Sequence, residues 1–298
     1  MPANTLKSGL GLEQKRSITG WTFLLPASLM ILWMNFYPMI KALLLSFQTG
    51  VGKNMRWADF YNYERLLQDV VFKKALSNTF FYLIVQVPLM LFFALILAVM
   101  LNERKLKYRG LFRTAIFLPC ATSLVSYSVI FRSLFAADGF LNSILTQAGI
   151  LDAPFNWLGN PTAARIVIVI ALLWRWTGYN MVFYLAALQN IDPAIYEAAK
   201  IDGAGPIRQF FQITIPQLKP MILLTAILST NGTLQLFDES YNLTRGGPAE
   251  ATITLSHHIY KISFEYSPNF GYAAALSYVI FLLVAVLALI QMKAGDKR

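Results

Sequence analysis

Charge is the scarcest property of this chain. Only 13% of its 298 residues are Asp, Glu, Lys or Arg, whereas 56% are hydrophobic and the mean hydropathy is +0.52. Soluble domains carry about 25% charge, so an ordinary water-soluble enzyme is excluded and a chain dissolved in lipid is indicated. Cysteine is nearly absent: Cys120 stands alone, which excludes a disulfide framework and a thiolate zinc site and leaves Cys120 a packing role. The two histidines, His257 and His258, are adjacent and cannot share a helical face. No acid stands at ligand spacing, so they read as a polar loop pair and no metal ligand is assigned. The chain has no G-x-x-x-x-G-K-[ST] segment to cradle nucleotide phosphates. No nucleophile–base pair is evident either, so no catalytic residue is assigned and a membrane enzyme is set aside.

What is present is apolar length. Six segments are long enough to cross a hydrocarbon core of about 30 Å: 21–47, 77–101, 114–135, 166–188, 217–237 and 272–292. The fold class expected is therefore all-α and membrane-embedded, with six transmembrane helices. It is organised as an N-terminal segment 1–20, a transmembrane domain 21–292 and a tail 293–298. The first span is too long for a cleaved signal peptide and lacks an A-x-A exit. Residues 1–17 are polar and expected to be mobile. Prolines 26, 38, 88 and 119 fall inside spans, where neighbouring helices can re-satisfy the carbonyls a proline frees.

The net charge of +10 fits either nucleic acid or an oriented membrane protein, and its distribution decides. Lys7, Lys15 and Arg16 precede the first span; Arg104, Lys105, Lys107, Arg109 and Arg113 crowd the second connection. Lys200, Arg208 and Lys219 follow the fourth span, and Lys293, Lys297 and Arg298 end the chain. The alternate connections are less basic, and in the first of them Asp59, Glu64 and Asp69 dilute the bases. By the positive-inside rule both termini are cytoplasmic, and the bases orient a bundle rather than bind nucleic acid.

The fourth connection, 190–216, is the most informative. Asp192 suits a helix N-cap, Pro193 a first helical position and Gly203 a left-handed stop, so a helix is expected over 193–202. A second begins at Pro206, with Ile207, Phe210, Phe211 and Thr214 at i, i+3, i+4 and i+7 forming one largely apolar face. Such a cytoplasmic hairpin either packs under its own bundle or docks on a partner.

Glu197-Ala198-Ala199, Gly203, Ile213 and Pro216 resemble the EAA---G---------I-LP signature of permease subunits of type I ABC importers, with Ile215 where Leu is usual. Trp176-Thr177-Gly178-Tyr179-Asn180, Leu243-Thr244-Arg245-Gly246-Gly247-Pro248 and Phe270-Gly271-Tyr272-Ala273-Ala274-Ala275 extend the resemblance to the carbohydrate-uptake branch, over residues 20–293. The resemblance implies a bacterial inner-membrane permease that pairs with a second permease and two ATP-binding subunits. It also implies delivery of cargo by an extracytoplasmic sugar-binding protein. Glu197, Ala198, Ala199 and Gly203 would then form the element that couples to the ATPase, and ATP with its Mg would be bound by that partner, leaving this chain no cofactor of its own.

Few polar groups lie in the spans, and each is a candidate for cargo contact. Asn231 and Gln235 sit four apart on one face of the fifth span; the fourth holds Arg175, Trp176, Tyr179 and Asn180, and the sixth holds Tyr278. Amides and hydroxyls exchange hydrogen bonds with sugar hydroxyls, while aromatic faces cover the C–H faces of pyranose rings. Asn231, Gln235, Trp176, Tyr179, Asn180 and Tyr278 therefore form the expected site for a neutral mono- or oligosaccharide such as a disaccharide. Arg175 reads as structural first, with an acid partner, a water-filled path or snorkelling as its routes. Phosphate would want several converging bases, which puts glycerol phosphate second. A stand-alone secondary transporter would want inverted halves and an intramembrane acid, neither of which is evident.

Overall fold

The structure, a computed structural model, describes residues 11–51, 54–103 and 105–296, the Lys15 and Asp296 side chains excepted. Lys7, Lys53, Arg104, Lys297 and Arg298, and residues 1–10 of the segment expected to be mobile, lie outside this range. The rest of that segment departs from expectation: helix α1 (Leu12–Ile31) begins inside it. Through a π-helical stretch, Leu32–Phe36, α1 continues into α2 (Tyr37–Ser46), and Pro38 at the second position of α2 breaks no helix. These 35 residues form one apolar rod whose most hydrophobic stretch is wholly unburied in the chain.

Strands β1 (Gln48–Thr49) and β2 (Arg56–Trp57) then pair antiparallel, Gln48 opposite Trp57, a small addition to the all-helical expectation. Helix α3 (Tyr61–Gln68) leads to α4 (Val70–Asn102), which Asp69 caps by accepting from the amides of Val71 at 2.7 Å and Phe72 at 3.2 Å. The third apolar segment is not one rod. It divides into α5 (Arg109–Ala121) and α6 (Leu124–Leu134), bent by 99°. Pro119 lacks an amide hydrogen, Thr122 takes an extended backbone, and the Thr122 hydroxyl bonds the Leu118 carbonyl at 3.1 Å. Each piece measures about 20 Å or less at helical rise, too short to span alone.

Helix α7 (Phe140–Gln147) and α8 (Pro161–Leu188), capped by Asn160, follow. The hairpin α9 (Pro193–Ile201) and α10 (Pro206–Gln209) runs through a π-helical stretch, Phe210–Thr214, into α11 (Ile215–Leu234). Two short helices, α12 (Asp238–Thr244) and α13 (Leu255–Tyr260), cross the far end before α14 (Phe270–Asp296).

Helix α8 is the axis, packed most extensively against α4. Its Val167, Ile168, Ala171 and Leu172 bury against Tyr82 and Tyr127, and its Met181 and Tyr184 meet Ala94 and Ala98 of α4. The two alanines stand four apart on one face and let the backbones approach. Two motif glycines serve close approach as well. A Cβ on Gly178 would lie 2.0 Å from the Ile116 carbonyl oxygen, and one on Gly271 1.9 Å from that of Gln48.

The far end corrects the reading of His257 and His258 as loop residues: both are helical and buried in α13. Ser240 donates to the Thr252 carbonyl at 2.7 Å, so the 2.7 Å contact between Ser240 Oγ and His257 Nδ1 carries the histidine's proton. His258 Nε2 meets Asp69 Oδ2 at 3.2 Å, and the Tyr272 hydroxyl donates to the same oxygen at 2.6 Å. Burial pushes the His257 imidazole down to about 4 and lowers His258 despite its acidic neighbour. Burial works against the Asp69 charge, but the bonds from Tyr272, the Phe72 amide and His258 outweigh it and hold Asp69 below the usual carboxylate range. The His258–Asp69 contact is therefore a neutral imidazole donating to a carboxylate.

Candidate functional site: a central cavity and an exposed hairpin

Helices α4, α8 and α11 diverge around a cavity of about 400 Å³, a size suited to a small ligand. On α8, Arg175, Trp176, Tyr179 and Asn180 reach it at i, i+1, i+4 and i+5, one side of one helix. Helix α4 contributes Gln86 and Met90, and α11 contributes Gly232 and Thr233. Because α11 stops at Leu234, the chain from Gln235 to Glu239 turns across the cavity mouth instead of extending the fifth span to residue 237.

The polar groups of a largely apolar wall are ordered. Thr233 donates to Gln86 Oε1 at 3.2 Å, Asn180 Nδ2 donates to the Trp176 carbonyl at 3.0 Å, and Gln86 Nε2 rests 3.1 Å from Met90 Sδ. Trp176 and Tyr179 meet edge to face at 5.8 Å between centroids. Gln235 Nε2 donates to Asn231 Oδ1 at 2.5 Å.

Of the residues selected from sequence, Trp176, Tyr179, Asn180 and Gln235 line the cavity. Asn231 lies outside it, exposed, as the partner of Gln235. Tyr278 requires correction: its hydroxyl donates to the Met39 carbonyl at 2.6 Å, tying α14 to α2 away from the cavity. Among the wall residues absent from the sequence reading are Gln86 and Glu239. Gln86 is an amide well inside the second span, the same signal that flagged Asn231 and Gln235. Glu239 follows the early stop of α11 and is 3% exposed, accepting from Tyr127 Oη at 2.6 Å. Burial raises the Glu239 carboxyl above the usual range, against the lowering effect of the Tyr127 bond.

The hairpin at the opposite end follows the sequence closely. Asp192 accepts from the Ala194 amide at 2.9 Å, α9 runs from Pro193, and Gly203 takes φ +76°, the left-handed stop. No neighbouring atom would crowd a Cβ on Gly203, so conformation is what its position requires. Glu197, Ala198 and Gly203 are exposed and Ala199 half-buried. The apolar face of the second helix divides. The π-helical stretch turns Phe210 and Thr214 toward the bundle, with Thr214 Oγ1 3.0 Å from Tyr196 Oη, and leaves Ile207 76% and Phe211 60% exposed beside Ile201 at 88%.

A bundle of long apolar helices around a cavity where amides and aromatic rings interrupt an apolar wall, with a partly apolar hairpin at one end, is the architecture of a solute permease. The chain belongs to the family of binding-protein-dependent transport system inner membrane components, which matches residues 69–294, and within it to the carbohydrate-uptake permeases of ABC importers. Members of this class are permeases, not enzymes. The chain is 52% identical over 298 residues to the lactose transport system permease protein LacF of Rhizobium radiobacter, covering 99% of each. It is 31% identical to the arabinooligosaccharides transport system permease protein AraP of Halalkalibacterium halodurans, over 98% of this chain and 100% of that one. Its fold matches a chain of a bacterial ABC transporter involved in the import of the acidic polysaccharide alginate, with a TM-score of 0.84 and 24% identity over 96% of this chain and 97% of that one.

Proposed function

We propose that the protein carries a neutral oligosaccharide of about disaccharide size, with lactose the first candidate, across the bacterial cytoplasmic membrane as one permease of an ATP-driven importer. The observation that carries this reading is the cavity, where amides and aromatic rings converge and Arg175 is the one base among the described wall residues, faced by Asp238 and Glu239. That balance favours hydroxyls over a phosphate, which would want several bases, and so disfavours glycerol phosphate. Trp176 and Tyr179 supply ring faces, Asn180, Gln235 and Gln86 supply amides, and Asn231 orients Gln235. The cargo of the lactose and arabinooligosaccharide relatives supports the same class.

On this reading both termini are cytoplasmic, and the hairpin faces a separate ATPase that binds ATP and Mg. Ala198 and Ala199 permit close approach, Gly203 sets the turn, and Glu197 offers a charge to the partner. Exposed Ile201, Ile207 and Phe211 are buried when it docks. A second permease and a second ATPase subunit complete the complex, and an extracytoplasmic sugar-binding protein delivers cargo. ATP binding closes the ATPases, and the hairpin passes that closure to spans that rock around the cavity.

The test is uptake by the complex reconstituted into liposomes with its partner subunits. ATP-dependent accumulation of labelled lactose or a related neutral oligosaccharide is expected; accumulation of glycerol phosphate with none of the sugars would overturn the reading.

A further inference from the structure

Arg175 and Glu239 are the most heavily buried charged side chains of the cavity wall, at 6% and 3% exposed. The Arg175 guanidinium lies over the rings of Tyr127, 4.8 Å to the centroid, and Trp176, 5.4 Å. These faces hold the group but satisfy none of its in-plane donors. Its Nε and Nη1 are buried without a hydrogen-bond partner. Among the described residues the ion pairs are Lys74–Glu250 and His258–Asp69, so Arg175 has no carboxylate of its own. Its charge nevertheless reaches Glu239 through space. Tyr127 Oη donates to Glu239 Oε1 at 2.6 Å, and among the described residues no side chain donates to Oε2.

A buried arginine with idle donors is expensive unless something completes it. Here the same Tyr127 supports both groups: its ring carries the guanidinium and its hydroxyl fixes the carboxyl. A donor and an acceptor are thus presented together on one cavity wall. Adjacent hydroxyls of a pyranose, each able to give and to accept, match that arrangement, whereas a phosphate or carboxylate would be repelled by Asp238 and Glu239.

We propose that Arg175 and Glu239 bracket a pair of neighbouring hydroxyls on the transported sugar, with Arg175 donating to one and Glu239 accepting from the other, and so set which sugars pass. This rests on the neutral-oligosaccharide reading above. It gives Arg175 a recognition role where the sequence alone favours a structural one.

The test is a scan of mono-deoxy lactoses in the reconstituted complex, comparing the wild type with Arg175→Lys and the isosteric Glu239→Gln. In the wild type, removing one of the bracketed hydroxyls lowers kcat/KM for uptake about tenfold or more, as loss of a hydrogen bond to a charged group does. In Arg175→Lys the penalty for one deoxy position shrinks to about twofold, and in Glu239→Gln the penalty for its neighbour shrinks likewise. A merely structural role would lower uptake of every analogue in proportion and leave the penalties unchanged, and that result overturns the proposal. Glu239→Gln keeps the oxygen that Tyr127 bonds, so the scan can be read on it alone if Arg175→Lys does not assemble. Wild-type complex that imports no neutral oligosaccharide overturns the cargo reading and this inference together. Lactose import with unaltered deoxy penalties in the variants overturns the inference alone. Preferential import of a phosphorylated lactose would give Arg175 to an anion and also overturn it.

Discussion

The two ends of the bundle are finished in opposite ways. At the far end, α12 and α13 close on themselves: Ser240 bonds Thr252 and His257, Thr244 Oγ1 meets Thr252 Oγ1 at 2.6 Å, and Asp69 collects His258 and Tyr272. At the hairpin end, Ile201, Ile207 and Phe211 stand in the open, and Glu197 is exposed. One end ties Ser240, Thr244, Asp69 and one ring nitrogen of each histidine into internal bonds and contributes Glu239 to the cavity wall. The other leaves Ile201, Ile207 and Phe211 uncovered in this chain. The contrast agrees with the division proposed above, cargo at the bonded end and coupling at the hairpin.

The largest expected effect breaks the hairpin half of this contrast. Reversing the charge at the docking surface with Glu197→Lys should lower ATP-driven uptake about a hundredfold or more and loosen the ATPase from the purified complex. Uptake at the wild-type rate would remove the hairpin from coupling.

Next in size is the axis joining the two ends. Gly178→Val places a branched side chain where even a Cβ would lie 2.0 Å from the Ile116 carbonyl oxygen, so α5 and α8 must separate at about 3 kcal/mol. A thermal midpoint within a degree of wild type would contradict that close approach. Smaller is Asn180→Ala on the cavity wall, where KM for lactose should rise about tenfold with kcat retained, the mark of lost binding without lost coupling. A fall in kcat at unchanged KM would move Asn180 out of the cargo site.

The smallest effect concerns pH at the far end. His257 has a folded pKa of about 4 against an ordinary 6.5, so the unfolded chain binds the extra proton as pH falls through this window, and stability falls with it. The Asp69 contribution, from a carboxyl held low, is lost only below its ordinary 3.8 and acts in the same direction. Between pH 6.5 and pH 5 the complex should lose about 1 kcal/mol, read as a midpoint lowered by a few degrees. His258, whose imidazole burial also lowers, acts in the same direction. His257→Gln should therefore reduce that slope without abolishing it, and an unchanged slope would remove His257 as a titrating group.

The two ends were also unequally legible in the sequence. The hairpin is local: Asp192, Pro193, Gly203 and Pro206 each act on their own backbone, so spacing alone located its turns, and the resemblance is the source of the role proposed for it. Only the π-helical stretch escaped, and it divided the expected apolar face. The cavity depends on where distant helices stop and bend. Apolar length located the spans, but not the 99° break after Ala121 or the early end of α11. That early end is what brings Glu239 to the wall. Composition marked Trp176, Tyr179, Asn180 and Gln235 because polar groups are rare in spans. The same rule alone could not separate them from Tyr278, whose hydroxyl serves an interhelical bond, nor could it show that the histidines have buried partners in Ser240 and Asp69.

The division of labour between the ends is tested most directly by measuring lactose binding and lactose-stimulated ATP hydrolysis on the same reconstituted complexes, with Glu197→Lys set against Asn180→Ala. The account predicts that Glu197→Lys binds sugar with wild-type affinity but gives no stimulated hydrolysis, while Asn180→Ala binds about tenfold more weakly and is fully stimulated once saturated. Equal loss of binding and stimulation in both variants would contradict it.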